Sequence, residues 1–358
     1  MSGTSIDAID AVLVEFEPQL RLVAAIGVPY SPDLRQQLLA LSVSDGTTTL
    51  AELGALDTRV GHAFAAAAIE LMRTSGHPST SIRAIGSHGQ TIWHAPRAPF
   101  PSTTQIGDPN IIAEATDIDT VADFRRRDLA AGGEGAPLVP AFHAAFLHSP
   151  DEDRAVLNLG GIANLTLLPA SGDVRGFDTG PANALLDQWA ARHTGHAIDH
   201  DGAFAAQGTT HPELLQQLLS DPYFARAIPK STGRDHFNMA WLLAHDAVAR
   251  ISPQDVQATL LALTARSIAD ALKRAAPATR RVLICGGGGR NPRLVSAIQA
   301  ALAGIEFGST ADCGIDPDYL EAMAFAWLAR ETLEGRSGNL AAVTGARGPR
   351  ILGGIFRA

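Results

Sequence analysis

AVLNLGGIANLTLLP, residues 155–169, decides the fold class of this 358-residue chain. Short apolar runs flank the pair Gly160–Gly161, and this pattern predicts two strands joined by a tight turn. The opening stretch MSGTSIDAIDAVLVEF, residues 1–16, repeats the pattern as a small-residue turn that leads into a strand from Ala11 to Phe16. Two glycine-bearing strand turns about half a chain apart predict a duplicated fold that binds one nucleotide between its halves.

Elsewhere, short apolar runs alternate with alanine- and leucine-rich stretches, which is typical of α/β proteins. We expect helices over about Ser31 to Gly76 and over Pro253 to Ala275. Residues 83–94, RAIGSHGQTIWH, predict a strand followed by a polar loop. Residues 280–294, RRVLICGGGGRNPRL, predict a strand, a four-glycine turn and the start of a helix. The turn-rich C-terminal segment is expected to pack on the first half.

Composition narrows the class of protein. Apolar residues make up 46% of the chain and charged residues 18%, which predicts a folded protein with room for two domains. The formal net charge of -9 argues against nucleic acid or an anionic membrane as a partner. Two cysteines exclude a disulfide framework, and no histidine or cysteine spacing predicts a structural metal. With neither an apolar span nor a charged leader, the sequence predicts a cytoplasmic location.

Three small-residue turns are candidates for phosphate binding. Residues 3–10, GTSIDAID, offer backbone N–H groups and hydroxyls to phosphate oxygens, and Asp7 or Asp10 suits Mg²⁺ bound through water. Residues 158–164, NLGGIAN, and residues 285–294, CGGGGRNPRL, let a nucleotide approach the main chain closely. For each turn the alternative is structural: a polar turn before a strand, a hairpin turn or a loose glycine turn.

GFDTGPANALLD, residues 176–187, contains the strongest candidate for catalysis. Asp178 follows a predicted strand and precedes a helix that Pro181 is expected to start. A carboxylate at a strand end beside a helix start suits a general base. The alternative is an aspartate that only caps the helix.

Two further stretches have side chains suited to binding a sugar acid. In ADFRRRDLAAGGEGAP, residues 122–137, Arg125 or Arg126 suits bidentate binding of a carboxylate, and the alternative is a solvated charged turn. SHGQTIWH, residues 87–94, gathers hydrogen-bonding side chains with Trp93, whose ring can stack on a sugar. The polar stretch STGRDHFN, residues 231–238, suggests no role by itself.

The order and wording of these motifs resemble the anhydro-N-acetylmuramic acid kinase family from Met1 to about Ile355. The resemblance rests on MSGTSIDAIDAV, GSHGQTIWHAP, QIGDPNIIAEATDIDTVADFRRRDLAAGGEGAPLVPAFH, NLGGIANLT, GFDTGPANALLD, STGRDHFN, CGGGGRNP and EAMAFAWLA. It implies an enzyme of the actin–hexokinase–Hsp70 superfamily, with two ribonuclease-H-like domains around a cleft. The implied domains are residues 1–127 with 340–358, and residues 128–339.

The same resemblance implies an activity and its ligands. The substrates would be ATP with Mg²⁺, water and 1,6-anhydro-N-acetylmuramic acid, whose ring is opened and whose O6 is phosphorylated during cell-wall recycling. A small-molecule sugar is thus the expected partner, and a homodimer is compatible with this reading. The alternatives are a kinase of another sugar, and a degenerate member that senses a sugar without turning it over.

The resemblance also assigns site residues. Asp178 matches the catalytic base. The nucleotide and its Mg²⁺ are assigned to Gly3, Thr4, Ser5, Asp7, Asp10, Asn158, Gly160, Gly161, Asn164, Gly286, Gly287, Gly288 and Asn291. The sugar is assigned to His88, Gln90, Asp123, Arg125 and Glu321.

Three departures from the family pattern have expected consequences. Ala8 stands where glycine is usual, which is a mild change. Glu134 stands where glutamine is usual and adds negative charge near a site for an acidic sugar, which predicts weaker substrate binding. Family members also have a short apolar strand before MSGTS, so we expect either an upstream start or an unfilled place in the first sheet.

Overall fold

The computed structural model describes residues 1–3, 6–42 and 46–358. In these parts the strands are β1 (Ala8–Glu15), β2 (Arg21–Pro29), β3 (Ile85–Ser87), β4 (Gln90–Ala95), β5 (Ser102–Ile106), β6 (Thr120–Ala122), β7 (Arg154–Leu159), β8 (Ile162–Leu168), β9 (Arg175–Pro181), β10 (Arg281–Cys285), β11 (Glu306–Ser309) and β12 (Gly354–Phe356). The α-helices are α1 (Pro32–Leu41), α2 (Leu50–Ser75), α3 (Pro109–Thr116), α4 (Arg126–Ala130), α5 (Val139–Leu147), α6 (Asn183–Thr194), α7 (Pro212–Leu219), α8 (Pro222–Ala225), α9 (Met239–Leu243), α10 (Pro253–Ala275), α11 (Pro292–Ala301), α12 (Leu320–Leu333) and α13 (Ala341–Thr344). The predicted α/β class is confirmed. Among these helices, none has the length and apolar character that crossing a membrane requires.

The chain divides into two compact units. Unit 1 comprises Met1–Phe142 and Gly314–Ala358, and unit 2 comprises His143–Cys313. The C-terminal segment belongs to unit 1, where β12 pairs with β6 in antiparallel fashion, as the sequence predicted. The domain limits stated above remain a prediction.

Unit 2 is built on a five-stranded sheet in the order β11–β10–β7–β8–β9. Strands β7, β8 and β9 are antiparallel, and β10 and β11 extend the other side of β7 in parallel. The core of unit 2 joins this sheet to α6, α10 and α11, with Leu157, Trp189 and Leu260 among its buried side chains. Three antiparallel strands followed by two parallel ones form the ribonuclease-H-like arrangement that the resemblance predicted.

Unit 1 distributes its strands over smaller sheets. β1 and β2 form an antiparallel hairpin, β3 pairs in parallel with β6, and β4 and β5 form a second hairpin. Helix α2 packs on β1 and α3, and the resulting core buries Val60 and Phe64 of α2 with Ile9 and Ile112. Strands therefore alternate with helices here as in unit 2.

A cavity of about 460 Å³ lies in unit 1 between β1 and β3. It is lined by residues 9–16 and 82–87, and by side chains of α2 and α12 such as Leu71 and Ala322. In the described residues, the strand partner of β1 is β2 and that of β3 is β6. On the cavity side of β1, Met1 bonds to both backbone groups of Asp10 at 2.8 Å, and in the described part of the chain no strand pairs with this edge beyond Asp10. In unit 2, β7 joins the hairpin β8–β9 to the parallel pair β10–β11. In unit 1 the cavity lies at the position that β7 has in unit 2.

The stretch predicted to be helical from Ser31 to Gly76 forms two helices. The side chain of Ser31 caps α1, and Thr49 and Glu52 form a capping box at the start of α2. Gly76 ends α2 with a φ of 73°, the left-handed conformation that favours glycine. These local hydrogen bonds fix limits that composition alone did not reveal.

Two local predictions are wrong. Pro181 ends β9, and α6 begins two residues later at Asn183, with Ala182 at its N-cap. Asp178 therefore lies inside a strand and does not cap a helix. Residues 90–94, predicted to be part of a polar loop, belong to β4, which forms a hairpin with β5. Polar side chains are compatible with a strand when one face of a hairpin meets solvent.

Candidate active site

A row of polar side chains crosses the sheet of unit 2. Asn158 of β7 lies opposite Asn164 of β8, and Asn164 lies opposite Asp178 of β9. Opposed residues of neighbouring strands point to the same face, with Cβ atoms about 4.5–5.5 Å apart. Leu157 and Leu159, which flank Asn158, are buried in the core on the other face. Three predicted site residues from three strands are thus brought together.

Asp178 is held by the segment that follows α8. The backbone N–H of Thr232 donates to Oδ2 of Asp178 at 3.0 Å, and the N–H of Asp178 donates to the carbonyl oxygen of Lys230 at 3.0 Å. The hydroxyl of Tyr223 donates to the carbonyl oxygen of Asp178 at 2.7 Å. Burial raises the pKa of Asp178 to about 6, although the Thr232 N–H and the Lys230 charge act to lower it. A carboxylate with a pKa near neutrality suits a general base.

The turn between β7 and β8 presents backbone donors. The carbonyl oxygens of Gly160 and Gly161 accept hydrogen bonds from the N–H groups of Asn183 and Ala182, at 3.1 and 3.0 Å. In the part of the chain that the structure describes, neither glycine donates its own N–H to another residue. Backbone donors beside the start of a helix fit a phosphate group.

The four-glycine turn packs against the end of β7. Gly286 has a φ of 80°, and a Cβ atom on it would lie 2.3 Å from Oδ1 of Asn158. A Cβ atom on Gly288 would lie 2.9 Å from the carbonyl oxygen of Leu159. Both positions therefore require glycine for packing, whereas Gly287 has open space where its side chain would be. The turn thus stands beside Asn158.

In unit 1, Arg125 is bonded to His88. Nε of Arg125 donates to Nε2 of His88 at 3.0 Å, and Nη1 donates to the carbonyl oxygen of Gly135 at 2.8 Å. Nδ1 of His88 lies 2.8 Å from the carbonyl oxygen of Gly89, which only accepts, so Nδ1 carries the proton. Burial lowers the pKa of Arg125 to about 10. Burial, with the Arg125 charge as a second cause, lowers the pKa of His88 well below its usual value, so the imidazole is neutral.

Glu321, in the first turn of α12, adds a carboxylate to this part of unit 1. The residue keeps contact with solvent, yet the protein around its carboxyl group desolvates it and raises its pKa, against the charge of Arg125. Burial likewise raises the pKa of Asp10 on β1, whose charge also acts on Glu321. Of the residues assigned to the sugar, Arg125, His88 and Glu321 are therefore neighbours.

Gln90 connects this group to the first turn. Its Nε2 donates to the carbonyl oxygen of Gly3 at 3.4 Å, and its Oε1 accepts from the hydroxyl of Tyr30 at 3.4 Å. Thr4 and Ser5, predicted to bind phosphate, lie outside the described residues.

Three of the predicted site residues have partners within the fold. Asp7 forms an ion pair with Arg35 at 2.8 Å, and Asp123 forms one with Arg126 at 2.7 Å. The side chain of Asn291 accepts from two backbone N–H groups and so caps α11. These side chains therefore already have protein partners at the positions where a ligand was predicted to bind them.

Ala8 and Glu134, the two residues that depart from the family pattern, each have a defined neighbour in the fold. Ala8 is the first residue of β1 and lies opposite Pro29 of β2. Glu134 forms an ion pair with Arg97, with Oε1 and Nη2 2.7 Å apart. The positive charge of Arg97 offsets the negative charge of Glu134, which reduces the repulsion that Glu134 would exert on an acidic sugar.

A Mg²⁺ ion that accompanies a nucleotide needs oxygen ligands but no dedicated cage. No group of three or more His, Cys, Asp or Glu side chains suited to a metal occurs within the described ranges. Of the two predicted acids, Asp10 fits the ion better, because a desolvated carboxylate with a raised pKa gains from a nearby cation. Asp7 already pairs with Arg35.

The sequence profile of the anhydro-N-acetylmuramic acid kinase family matches residues 1–358. The chain belongs to this family. This membership makes the protein a kinase. The profile match also confirms the family resemblance that the sequence motifs indicated.

Curated relatives support the assignment. The anhydro-N-acetylmuramic acid kinase of Xanthomonas axonopodis pv. citri (strain 306) is 59% identical over 362 residues, which cover 100% of this chain and 97% of the relative. That of Pseudomonas putida (strain KT2440) is 49% identical, with 100% and 98% covered. That of Coxiella burnetii (strain Dugway 5J108-111) is 46% identical, with 99% and 96% covered.

Solved structures are more distant. The activator of the 2-hydroxyisocaproyl-CoA dehydratase from Clostridium difficile with bound ADPNP has a TM-score of 0.45 and 13% identity, and the match covers 92% of this chain and 94% of that one. The ROK hexokinase from Thermus thermophilus has a TM-score of 0.37 and 17% identity, with 91% and 97% covered.

Sequence reasoning missed the contribution of residues 231–238 in this family member. Thr232 binds the Asp178 carboxylate, and Lys230, just before the loop, binds the Asp178 main chain. Arg234 lies beside Gly161. The polar motif STGRDHFN is the available signal, but its spacing does not show that it contacts Asp178 and Gly161.

Proposed function

We propose that this protein is an ATP-dependent kinase of 1,6-anhydro-N-acetylmuramic acid. It opens the anhydro ring with water and phosphorylates O6, giving N-acetylmuramic acid 6-phosphate and ADP for cell-wall recycling. The observation that carries the proposal is the carboxylate of Asp178. It has a raised pKa and stands in one row with Asn158 and Asn164, next to the donors of the Gly160–Gly161 turn. Family membership supports the identity of the sugar.

Asp178 acts as the base in ring opening. Its carboxylate accepts a proton from water while the water oxygen bonds to C1. The bond from C1 to O6 breaks, and its electron pair goes to O6. Attack comes from the face opposite the bridge. One carboxylate is enough, because O6 leaves C1 with its electron pair and needs no separate deprotonation.

O6 then attacks the γ-phosphorus, and the bond from that phosphorus to ADP breaks. The N–H groups of Gly160 and Gly161 bind phosphate oxygens, and the turn at Gly286–Gly288 lines the nucleotide. Asp10 is the residue that would hold Mg²⁺, which when bound offsets negative charge on the phosphate oxygens. The protein contributes position and electrostatic stabilisation, which dominate catalysis of this step.

Arg125 binds the lactyl carboxylate of the sugar. Hydrogen bonds to His88 and Gly135 use two of its five N–H donors and orient the rest. His88 is neutral and accepts from Arg125, so it orients the guanidinium without competing for the anion. Glu321 is an acceptor for a sugar hydroxyl.

Isotope labelling tests the proposal. With ATP, the anhydro sugar and ¹⁸O-labelled water, the label should appear on C1 of the product and not in the phosphate. The α-anomer should form first, because the bridge occupies the β face. Label in the phosphate would show ATP hydrolysis. Turnover of a ring-opened sugar but not of the anhydro sugar would show a different kinase.

A further inference from the structure

The loop at residues 231–238 holds an arginine against the Gly160–Gly161 turn. A Cβ atom on Gly161 would lie 3.4 Å from Nη2 and 3.5 Å from Nε of Arg234, so the guanidinium stands directly beside this turn. Two residues earlier, Thr232 binds the carboxylate of Asp178. One short segment therefore reaches both the proposed base and the proposed phosphate donors.

The position of the loop is fixed at both ends. Phe237 is fully buried, and the ring of His236 stacks on it with centroids 4.3 Å apart. Nε2 of His236 lies 3.1 Å from Oδ2 of Asp221. On the other side, Thr232 is bonded to Asp178 in the sheet. Arg234 thus extends from a segment that the core and the sheet both hold.

The guanidinium of Arg234 is available to a ligand. Among the described residues it donates no hydrogen bond. Burial raises the pKa of Asp187 to about 6, and the positive charge of Arg234 acts in the opposite direction. Arginine binds phosphate oxygens through two parallel N–H groups. Beside unused backbone N–H groups, such a side chain completes a phosphate site.

We propose that Arg234 binds the phosphoryl group that is transferred, at the Gly160–Gly161 turn. The assignment rests on the proposed function, which places the reaction at Asp178. The loop contacts Asp178 through Thr232 and the turn through Arg234, so we place the reacting end of the nucleotide at Arg234. It therefore binds the terminal phosphoryl group of ATP, which ADP lacks.

Nucleotide binding without sugar tests this proposal in the full-length protein. Affinities for a non-hydrolysable ATP analogue and for ADP are measured by calorimetry. Arg234→Gln should weaken binding of the ATP analogue by about 10-fold or more, as expected for loss of hydrogen bonds to a charged group. The affinity for ADP should change by less than about 3-fold. Arg234→Lys should fall between, since it keeps the charge without the bidentate geometry. Arg192→Gln, an exposed arginine on α6 of the same unit, is the control and should bind both nucleotides like wild type.

Equal losses for the two nucleotides, or no loss for either, would overturn the assignment. Circular dichroism and the melting temperature establish that each variant is folded. If Arg234→Gln does not fold, the affinities of Arg234→Lys test the assignment instead. The binding measurement contains no sugar. A wild-type protein inactive on the anhydro sugar would therefore refute the proposed function alone, while the ratio of ATP-analogue to ADP affinity would still test Arg234.

Discussion

The backbone N–H of Thr232 donates a 3.0 Å hydrogen bond to Oδ2 of Asp178. This bond favours the ionised carboxylate, and burial favours the protonated one more strongly, which leaves the pKa at about 6. The carboxyl group of this proposed base is thereby ionised at neutral pH and still basic enough to accept a proton from water. Because the donor is a backbone group, ordinary side-chain substitution at Thr232 retains it.

The rate should follow the ionisation of Asp178. We expect kcat/KM to rise with pH and to level off above an apparent pKa near 6, because only the carboxylate accepts a proton. Asp178→Asn should reduce kcat by about 10²–10⁴-fold while both substrates still bind. Steady-state rates between pH 5 and pH 8 check this. A flat profile, or full activity of Asp178→Asn, would assign the base to another group.

The same group should lower the stability of the fold at neutral pH. Its pKa is raised in the folded state, so the folded protein binds more protons than the unfolded chain between about pH 4 and pH 6. Stability from this group is present at low pH and is lost as the pH rises through that range. Asp178→Asn should increase the free energy of unfolding at pH 7 by up to about 3 kcal/mol, at about 1.4 kcal/mol per pKa unit. Urea unfolding at pH 4 and pH 7 measures it, and the exposed Asp173→Asn should show no such difference.

Gly161→Val should weaken ATP binding and leave the fold intact. A Cβ atom at this position would meet Ala184 and Arg234 at ordinary contact distances of 3.4 Å, so the protein tolerates it. The valine methyl groups would obstruct the approach of a phosphate to the turn. Calorimetry gives the affinity. Gly54→Val, where a Cβ meets nothing within 4 Å, is the control. Unchanged affinity in a folded Gly161→Val protein would rule out this turn.

Arg125→Ala should raise the KM for the lactyl-bearing sugar. A hydrogen bond to a charged group contributes roughly 1.5–3 kcal/mol, which corresponds to about 10- to 100-fold. The KM for the anhydro sugar without the lactyl group should change little, so the preference between the two is lost. Arg127→Ala, at an exposed position of the same run, should keep the preference. If Arg125→Ala keeps the preference, the carboxylate is bound elsewhere.

An apolar strand of about 5–6 residues joined to Met1 should stabilise unit 1. It would continue the pairing of Met1 with Asp10 along β1, fill the cavity of about 460 Å³ and pair with the edge of β3. We expect a higher melting temperature and tighter ATP binding, since Asp10 lies on β1. An extension of equal length made of glycine and serine is the control. Equal melting temperatures for the two extended proteins would show that the cavity does not accept a strand.

Residues 155–169 and 280–294 formed the predicted elements, because turn glycines and apolar runs are local signals. The contacts of the site could not be predicted in the same way. Thr232 is 54 positions from Asp178, and Arg125 is 37 positions from His88. Contacts between residues so far apart in sequence depend on the tertiary fold, which local sequence patterns do not specify. Pro181 ends β9 and does not start α6, and the sequence does not distinguish these positions because proline suits both a strand end and a helix start.

Strand β9 contains a β-bulge, because its residues 175–181 pair with one residue fewer on β8, residues 162–167. Thr179 has no partner on β8, and its hydroxyl donates to the carbonyl oxygen of Ala163 at 3.1 Å. Side chains alternate between faces along a strand, and Phe177 enters the core that its neighbour Asp178 faces away from. A slip of one residue in the pairing of Asp178 with Asn164 would bring the Phe177 ring to that face of the sheet in place of the carboxylate. The register of β9, set on one side of the bulge, therefore determines which side chain stands in the row with Asn158 and Asn164.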